Sequence, residues 1–148
     1  MKSSIKKIIK ASLMRMEMDS EDARSLIYRT GKAESGYRAL EGYGDGNPAL
    51  GFFQMEPNTA IDIWNNYVMY RSKYRDNLHE LGFKYEDLEF CLLSNIGLQV
   101  AFCRLHYRRV PASLPKLSDL EGQAKYWKKY YNSHLGKGTI EHFMEANS

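Results

Sequence analysis

The stretch from Glu86 to Arg109 constrains the fold more than any other part of the chain. Leu88, Leu92, Ile96, Val100, Cys103 and Tyr107 recur there every three or four residues, with further apolar residues around them. That period puts one face of an α-helix against a core, and the apolar residues on its other faces call for burial nearly all round. The spacing predicts a central buried helix over 86–109. No alternating series of strand period, internal repeat or low-complexity tract occurs, so the expected class is mainly α. A chain of 148 residues, 43% of them hydrophobic, suits one compact domain.

Other helices announce themselves by their ends. Ile5, Ile8, Ile9, Leu13 and Met16 form an apolar stripe over residues 2–16, with Lys6, Lys7 and Lys10 mostly on other faces. A basic amphipathic helix of this kind serves a membrane surface or a partner. Packing on its own domain is the preferred expectation, with 1–17 as that helix and 18–148 as the main body. Ser20, followed by Glu21 and Asp22, is a helix start, because a serine cap and acidic first turn satisfy free amides and the positive helix end. Pro57 suits the first turn of a helix running through Ile61, Trp64 and Val68. Gly122 to Asn132 has helical spacing, and Thr139 caps a short last helix. Between the helix that Ser20 starts and the one that Pro57 starts, Glu41 to Pro48 is rich in Gly, Asp, Asn and Pro and is expected to form a loop, with or without a short hairpin.

Charge and cysteine content exclude several classes. Twenty-one Lys and Arg against 18 Asp and Glu leave a net charge of +3, too little to imply a nucleic-acid partner. Lys10 and Arg15 interrupt the opening apolar stripe, so no secretory signal is expected. Nor does any run approach the roughly 18–20 apolar residues of a membrane span, so stable membrane insertion is not expected. Cys91 and Cys103 would lie about 18 Å apart along one continuous helix, beyond disulfide reach, and are expected as reduced core thiols. His79, His106, His134 and His142 lack metal-ligand spacing, so neither metal nor cofactor is expected.

Leu26, Ile27, Thr30, Ala33, Glu34 and Tyr37 follow three- and four-residue spacing, which puts Glu34 on the buried stripe near its helix's C-terminal end. Burial and the negative end of the helix dipole both disfavour a charged carboxylate there. A carboxylic acid held neutral near pH 7 is a proton donor. Cleaving a glycosidic bond needs such a donor at the leaving oxygen while positive charge builds at the anomeric carbon.

Three segments, in order, carry a family likeness spanning about 110 residues. Glu34-Ser35 stands at a helix end. Gly51-Phe52-Phe53-Gln54 is followed by Pro57, Thr59 and Ala60. Tyr130-Tyr131-Asn132 precedes Gly136-Lys137-Gly138-Thr139. Together they resemble the Glu-Ser, Gly-Leu-Met-Gln…Pro…Thr-Ala and Ala-Tyr-Asn-Ala-Gly motifs of the soluble lytic transglycosylase and goose-type lysozyme group of the lysozyme-like superfamily, in particular its short phage-encoded members. Phe52-Phe53 stands where that pattern has Leu-Met, Tyr130-Tyr131 where it has Ala-Tyr, and Ser133-His134 where glycine is expected.

The resemblance implies a lysozyme-like fold, with a loop or hairpin region beside an active-site cleft and Glu34 as general acid and base. The substrate implied is peptidoglycan, cut between N-acetylmuramic acid and N-acetylglucosamine by a monomer. Gln54 is a candidate to orient Glu34 or a sugar acetamido group. Tyr131 is read either as a donor to Glu34 or substrate, or as a core tyrosine bound to backbone. Asn132 and Ser35 are read as substrate contacts or helix caps, and Phe53 and Tyr37 as cleft walls or core. Glu56, Asp45 and Glu41 are the candidates for a second carboxylate. Without one, the resemblance implies a lyase route to 1,6-anhydromuramyl ends; with one, it implies a hydrolytic muramidase. A non-catalytic glycan-binding virion module is the competing expectation from another class. A phage protein of this kind would wait in the host cytoplasm or the virion before reaching the wall.

Overall fold

The computed structural model describes residues 2–38, 40–42, 46–132 and 137–148, with Lys2 by its backbone alone. Among the described residues the architecture is mainly α, with no strand. Helix α1 (Lys2–Arg15) buries Ile5, Ile9 and Leu13 against α2 (Glu21–Glu34) and α6 (Ile96–Arg108). Burying each such side chain contributes about 2 kcal/mol, so the apolar stripe is held by the core and turned away from any other surface. Its lysines remain outside. Ser20 caps α2 as expected, its Oγ accepting from the Ala23 amide at 3.0 Å.

The central helix differs from expectation. The segment divides into a single 3₁₀ turn (Tyr85–Asp87), α5 (Leu88–Ser94) and α6, and the two helical parts meet at 106°. Asn95 makes the break. It adopts an extended conformation and caps α6, its Oδ1 accepting from the Leu98 amide at 3.0 Å while its Nδ2 donates to the Leu81 carbonyl at 2.9 Å. Because both halves bury their apolar faces, the stripe runs on across the bend. Cys91 and Cys103 are both free and buried, but on two different helices, so separation along one helix is not what keeps them apart.

Helix α6 is the core of the molecule, with Leu98, Val100, Ala101, Phe102, Cys103, Leu105 and Tyr107 buried. On one side, α3 (Pro57–Asn66) ends before Val68, which the expected helix included and which falls in a 3₁₀ turn (Val68–Tyr70); with α4 (Ser72–Glu80) these bring Ile63, Trp64, Val68 and Leu78 into the same cluster as Phe83 and Phe102. Helix α4 lies in a stretch with no expected element, since Leu78 is the residue it buries. On the other side, α7 (Leu120–Trp127) begins two residues before Gly122, where Asp119 accepts from the Gly122 amide, and it runs on into a π turn (Lys128–Asn132). Thr139 caps α8 (Ile140–Ala146), which packs on α2 and α7.

Among the described residues, the segment after α2 forms isolated antiparallel bridges pairing Leu50 with both Glu41 and Met55. Tyr43 to Asp45 lie outside the described residues. Gly51 sits at the tip of a tight turn closed by reciprocal bonds between Leu50 and Met55 (2.9 and 3.1 Å). Its φ of +78° and the 2.8 Å that a Cβ would leave to the Leu92 carbonyl oxygen restrict the position to glycine.

Candidate active site

Glu34 is the last residue of α2, and most of its surface is covered while the remainder opens into a cleft of about 230 Å³. Three pieces of chain hold that helix end. The Ser35 and Gly36 amides both bond the Gly31 carbonyl at 3.0 Å, and the chain then reverses through Gly36 and Tyr37 at positive φ. His142 of α8 donates from Nε2 to the Ala33 carbonyl at 2.7 Å, satisfying one acceptor that a helix terminus leaves open. Thr30, one turn earlier, joins the Tyr107 hydroxyl at 2.8 Å in the core.

The carboxylate meets two donors, both on Oε2. Trp127 Nε1 donates at 2.9 Å and Asn132 Nδ2 at 3.5 Å. Lys128 Nζ donates to Asn132 Oδ1 at 3.0 Å, which fixes the amide with its nitrogen toward Glu34. Burial pushes the Glu34 carboxyl up to about 7, outweighing the two hydrogen bonds and the electrostatic influence of His142 and Lys128, which act in the opposite direction. Oε1 has no partner among the described residues and is the oxygen left to carry the proton.

Trp127 was not among the residues singled out in the sequence. It is 93 positions from Glu34 and reads as core, and it is in fact packed with Ala33, Ala124 and Phe143. Gly138 permits its position, since a Cβ there would stand 2.5 Å from the indole ring. Replacing Trp127 by Phe removes a donor that favours the charged carboxylate, so the Glu34 pKa is expected to rise further, by about one pH unit. Carbon-13 NMR titration of the Glu34 carboxyl measures this; a fall would contradict the assigned bond.

The second segment reaches the cleft through Gln54, Met55, Glu56 and Thr59. Gln54, at φ +51°, donates from Nε2 to the Gly51 carbonyl (3.0 Å) and the Glu41 carbonyl (3.2 Å). Its amide nitrogen therefore secures the loop, and its Oε1 is the atom left to meet a ligand. Buried Gln99, from the first turns of α6, clamps the same loop by accepting from the Phe52 amide at 3.0 Å and donating to the Leu93 carbonyl at 3.3 Å. A glutamine inside the apolar stretch was the available signal for this clamp.

Tyr131 and Asn132 both line the cleft. The Tyr131 hydroxyl donates to the Phe53 carbonyl at 2.6 Å instead of to Glu34, so it ties the π turn to the loop. Ser35 is buried and joins α2 to that loop, its Oγ donating to the Phe52 carbonyl at 2.7 Å and accepting from the Tyr37 amide at 3.1 Å. Phe53 (2% exposed) and Tyr37 (9%) lie in the core with Phe52, away from the cleft lining. Packing against Val100 and Leu26 outweighs what a sugar wall would gain.

Of the second-carboxylate candidates, Glu56 borders the cleft, exposed at the N-cap of α3. Glu41 is exposed and absent from the described lining, and Asp45 lies outside the described residues. His106, which the sequence offered only as a histidine without metal spacing, also lines the cleft. Burial and the Arg109 guanidinium bring it down to about 4, so it is neutral over the physiological range and packs edge-on against Tyr131. The arrangement can deliver one proton and take it back, from a desolvated carboxyl, beside amide and imidazole groups able to hold a neutral polar ligand. No family model, curated protein or solved structure matches this chain.

Proposed function

We propose that the chain is a phage peptidoglycan-cleaving enzyme of the lysozyme-like kind, a lytic transglycosylase acting on the β-1,4 bond between N-acetylmuramic acid and N-acetylglucosamine. The observation that carries this is the Glu34 carboxyl, brought to about 7 at the wall of a polar cleft, with both of its donors on one oxygen. The order of the three motif segments supports it, since all three reach Glu34 or its cleft.

In this reading Glu34 Oε1 gives its proton to the glycosidic oxygen as the bond to the muramyl anomeric carbon breaks. The substrate's acetamido oxygen closes on that carbon and holds the charge. Glu34, now a carboxylate, takes the proton of the muramyl C6 hydroxyl, whose oxygen displaces the acetamido group and closes the 1,6-anhydro ring. No water is consumed. Gln54 Oε1 and the Asn132 amide would hold the sugar's polar groups.

Glu56 favours hydrolysis as a second reading, because a carboxylate bordering the same cleft can activate water. Digestion of purified sacculi followed by mass analysis distinguishes the two. Anhydromuramyl ends are expected; reducing muramic ends would give the reaction to Glu34 with Glu56. Sacculi that bind the protein and release nothing would leave a glycan-binding module.

A further inference from the structure

A second concavity, of about 910 Å³, lies between α1, α2 and residues 146–148 and shares no lining residue with the Glu34 cleft. Its two long walls have the same spacing. Ser3, Lys6, Lys7 and Lys10 on α1 face Ser25, Tyr28, Arg29 and Lys32 on α2, each set at intervals of three, one and three residues. With Arg24 this gathers, among the described residues, six cations and no Asp or Glu side chain. Since the whole chain carries only +3, everything outside the groove sums to −3. Charge is therefore segregated.

Among the described residues, three of the six cations have internal partners and three do not. Arg24 holds Asp19 at 2.9 Å, Arg29 is bonded to the Leu117 carbonyl and to Gln123, and Lys6 lies over the Tyr28 ring. Lys7, Lys10 and Lys32 form no ion pair among the described residues. Free ammonium groups on long stems suit spaced single charges, while the two guanidinium forks that would grip phosphate bidentately are engaged. Among the described residues Tyr28 is the single aromatic in the lining, and it is stacked on Tyr37, so they offer no run of rings on which bases could stack. A concave wall whose neighbouring apolar stripe is buried suits a flexible chain better than a flat membrane.

We infer that this groove binds the carboxylate-bearing stem peptides of the same wall polymer whose glycan enters the Glu34 cleft, an inference that rests on the function proposed above. The cleft itself offers those peptides nothing, since its lining includes Glu34 and Glu56 and no Lys or Arg. Helix α2 connects the two sites. Lys32 and Glu34 are two residues apart, roughly 200° around the helix, and Arg24 is about 15 Å along it. The groove therefore opens on the far side of α2 from Glu34, where a neighbouring strand of the same wall polymer can lay its acidic peptides while another is cut.

The test uses full-length Glu34→Gln protein, which separates binding from cleavage, and compares it with the same protein carrying Lys7→Glu, Lys10→Glu and Lys32→Glu. Co-sedimentation with purified sacculi is expected to weaken at least tenfold in the triple variant, and to weaken for the parent when salt rises from about 0.05 to about 0.5 M. Sacculi stripped of stem peptides by an amidase should bind the parent no better than the variant. An unchanged melting midpoint in the variant shows that its fold is intact, since all three positions are on helix surfaces. Equal binding by parent and variant overturns the groove and leaves the cleft's function standing, which muropeptide release by the wild-type protein tests separately. Equal retention on peptide-free sacculi, or stronger capture of duplex DNA or anionic vesicles than of sacculi, also overturns it.

Discussion

Glu34→Gln is expected to lower release of soluble muropeptides from sacculi by about 10²- to 10⁴-fold, the usual contribution of a positioned general acid. Glutamine keeps the size of the side chain, and its carbonyl oxygen can still accept from Trp127 Nε1, so the surrounding bonds survive while the transferable proton does not. The wild-type pH profile should show the same group. The proton donor is the neutral form, and burial holds that form up to about pH 7. Activity should therefore be flat just below that value and fall about tenfold per pH unit above it, provided proton donation limits the rate. A purified variant retaining more than a tenth of wild-type release would reject Glu34 as the acid.

What the sequence disclosed and what it hid divide along physical lines. Local signals transferred well. Ser20 and Thr139 mark helix starts because each accepts from an amide three residues on, and Pro57 because its fixed φ and missing N–H suit a first turn. Glu34 was legible because a carboxylate on a buried stripe is anomalous within its own helix. The bend at Asn95 was hidden by the apolar pattern itself, since a stripe buried on both sides of a corner looks like one that never turns; the only local mark was an asparagine able to cap. Helix α4 was hidden for the opposite reason, burying little beyond Leu78.

Partners of Glu34 were hidden by distance along the chain. Trp127 has the pattern of a core residue and is one; nothing nearby in sequence says that its ring nitrogen ends on a carboxylate. Tyr131 and Ser35 were legible as important positions, but both bind the backbone of the Phe52-Phe53 loop, a role that emerges only when the three segments meet. The site is consequently a junction. Side chain to backbone bonds fasten the loop at Gly51 to the end of α2 and to the π turn after α7, Asn132 of that turn meets Glu34 side chain to side chain, and the proton donor sits where they converge.

Such a junction has a cost in stability, and the cost is measurable. An ordinary glutamate near 4.5 is carried to about 7 in the folded chain. The folded protein therefore binds this proton more tightly than the unfolded chain, so stability contributed by the neutral form is complete below about pH 4.5. It is lost as pH rises to about 7, and above that no further change comes from this group. The full loss has a ceiling of about 3 kcal/mol, lessened by whatever water reaches the carboxylate from the cleft. A glutamine amide in the same place has no charge to desolvate. Glu34→Gln is thus expected to melt several degrees above wild type at pH 8, with the difference shrinking toward zero near pH 4.5. Thermal unfolding at the two pH values decides it. A variant less stable than wild type at pH 8, or offset equally at both, would mean that Glu34 ionises there without strain. Gain of stability with loss of cleavage, in one isosteric change, is the pattern expected of a group placed for chemistry against the interest of the fold.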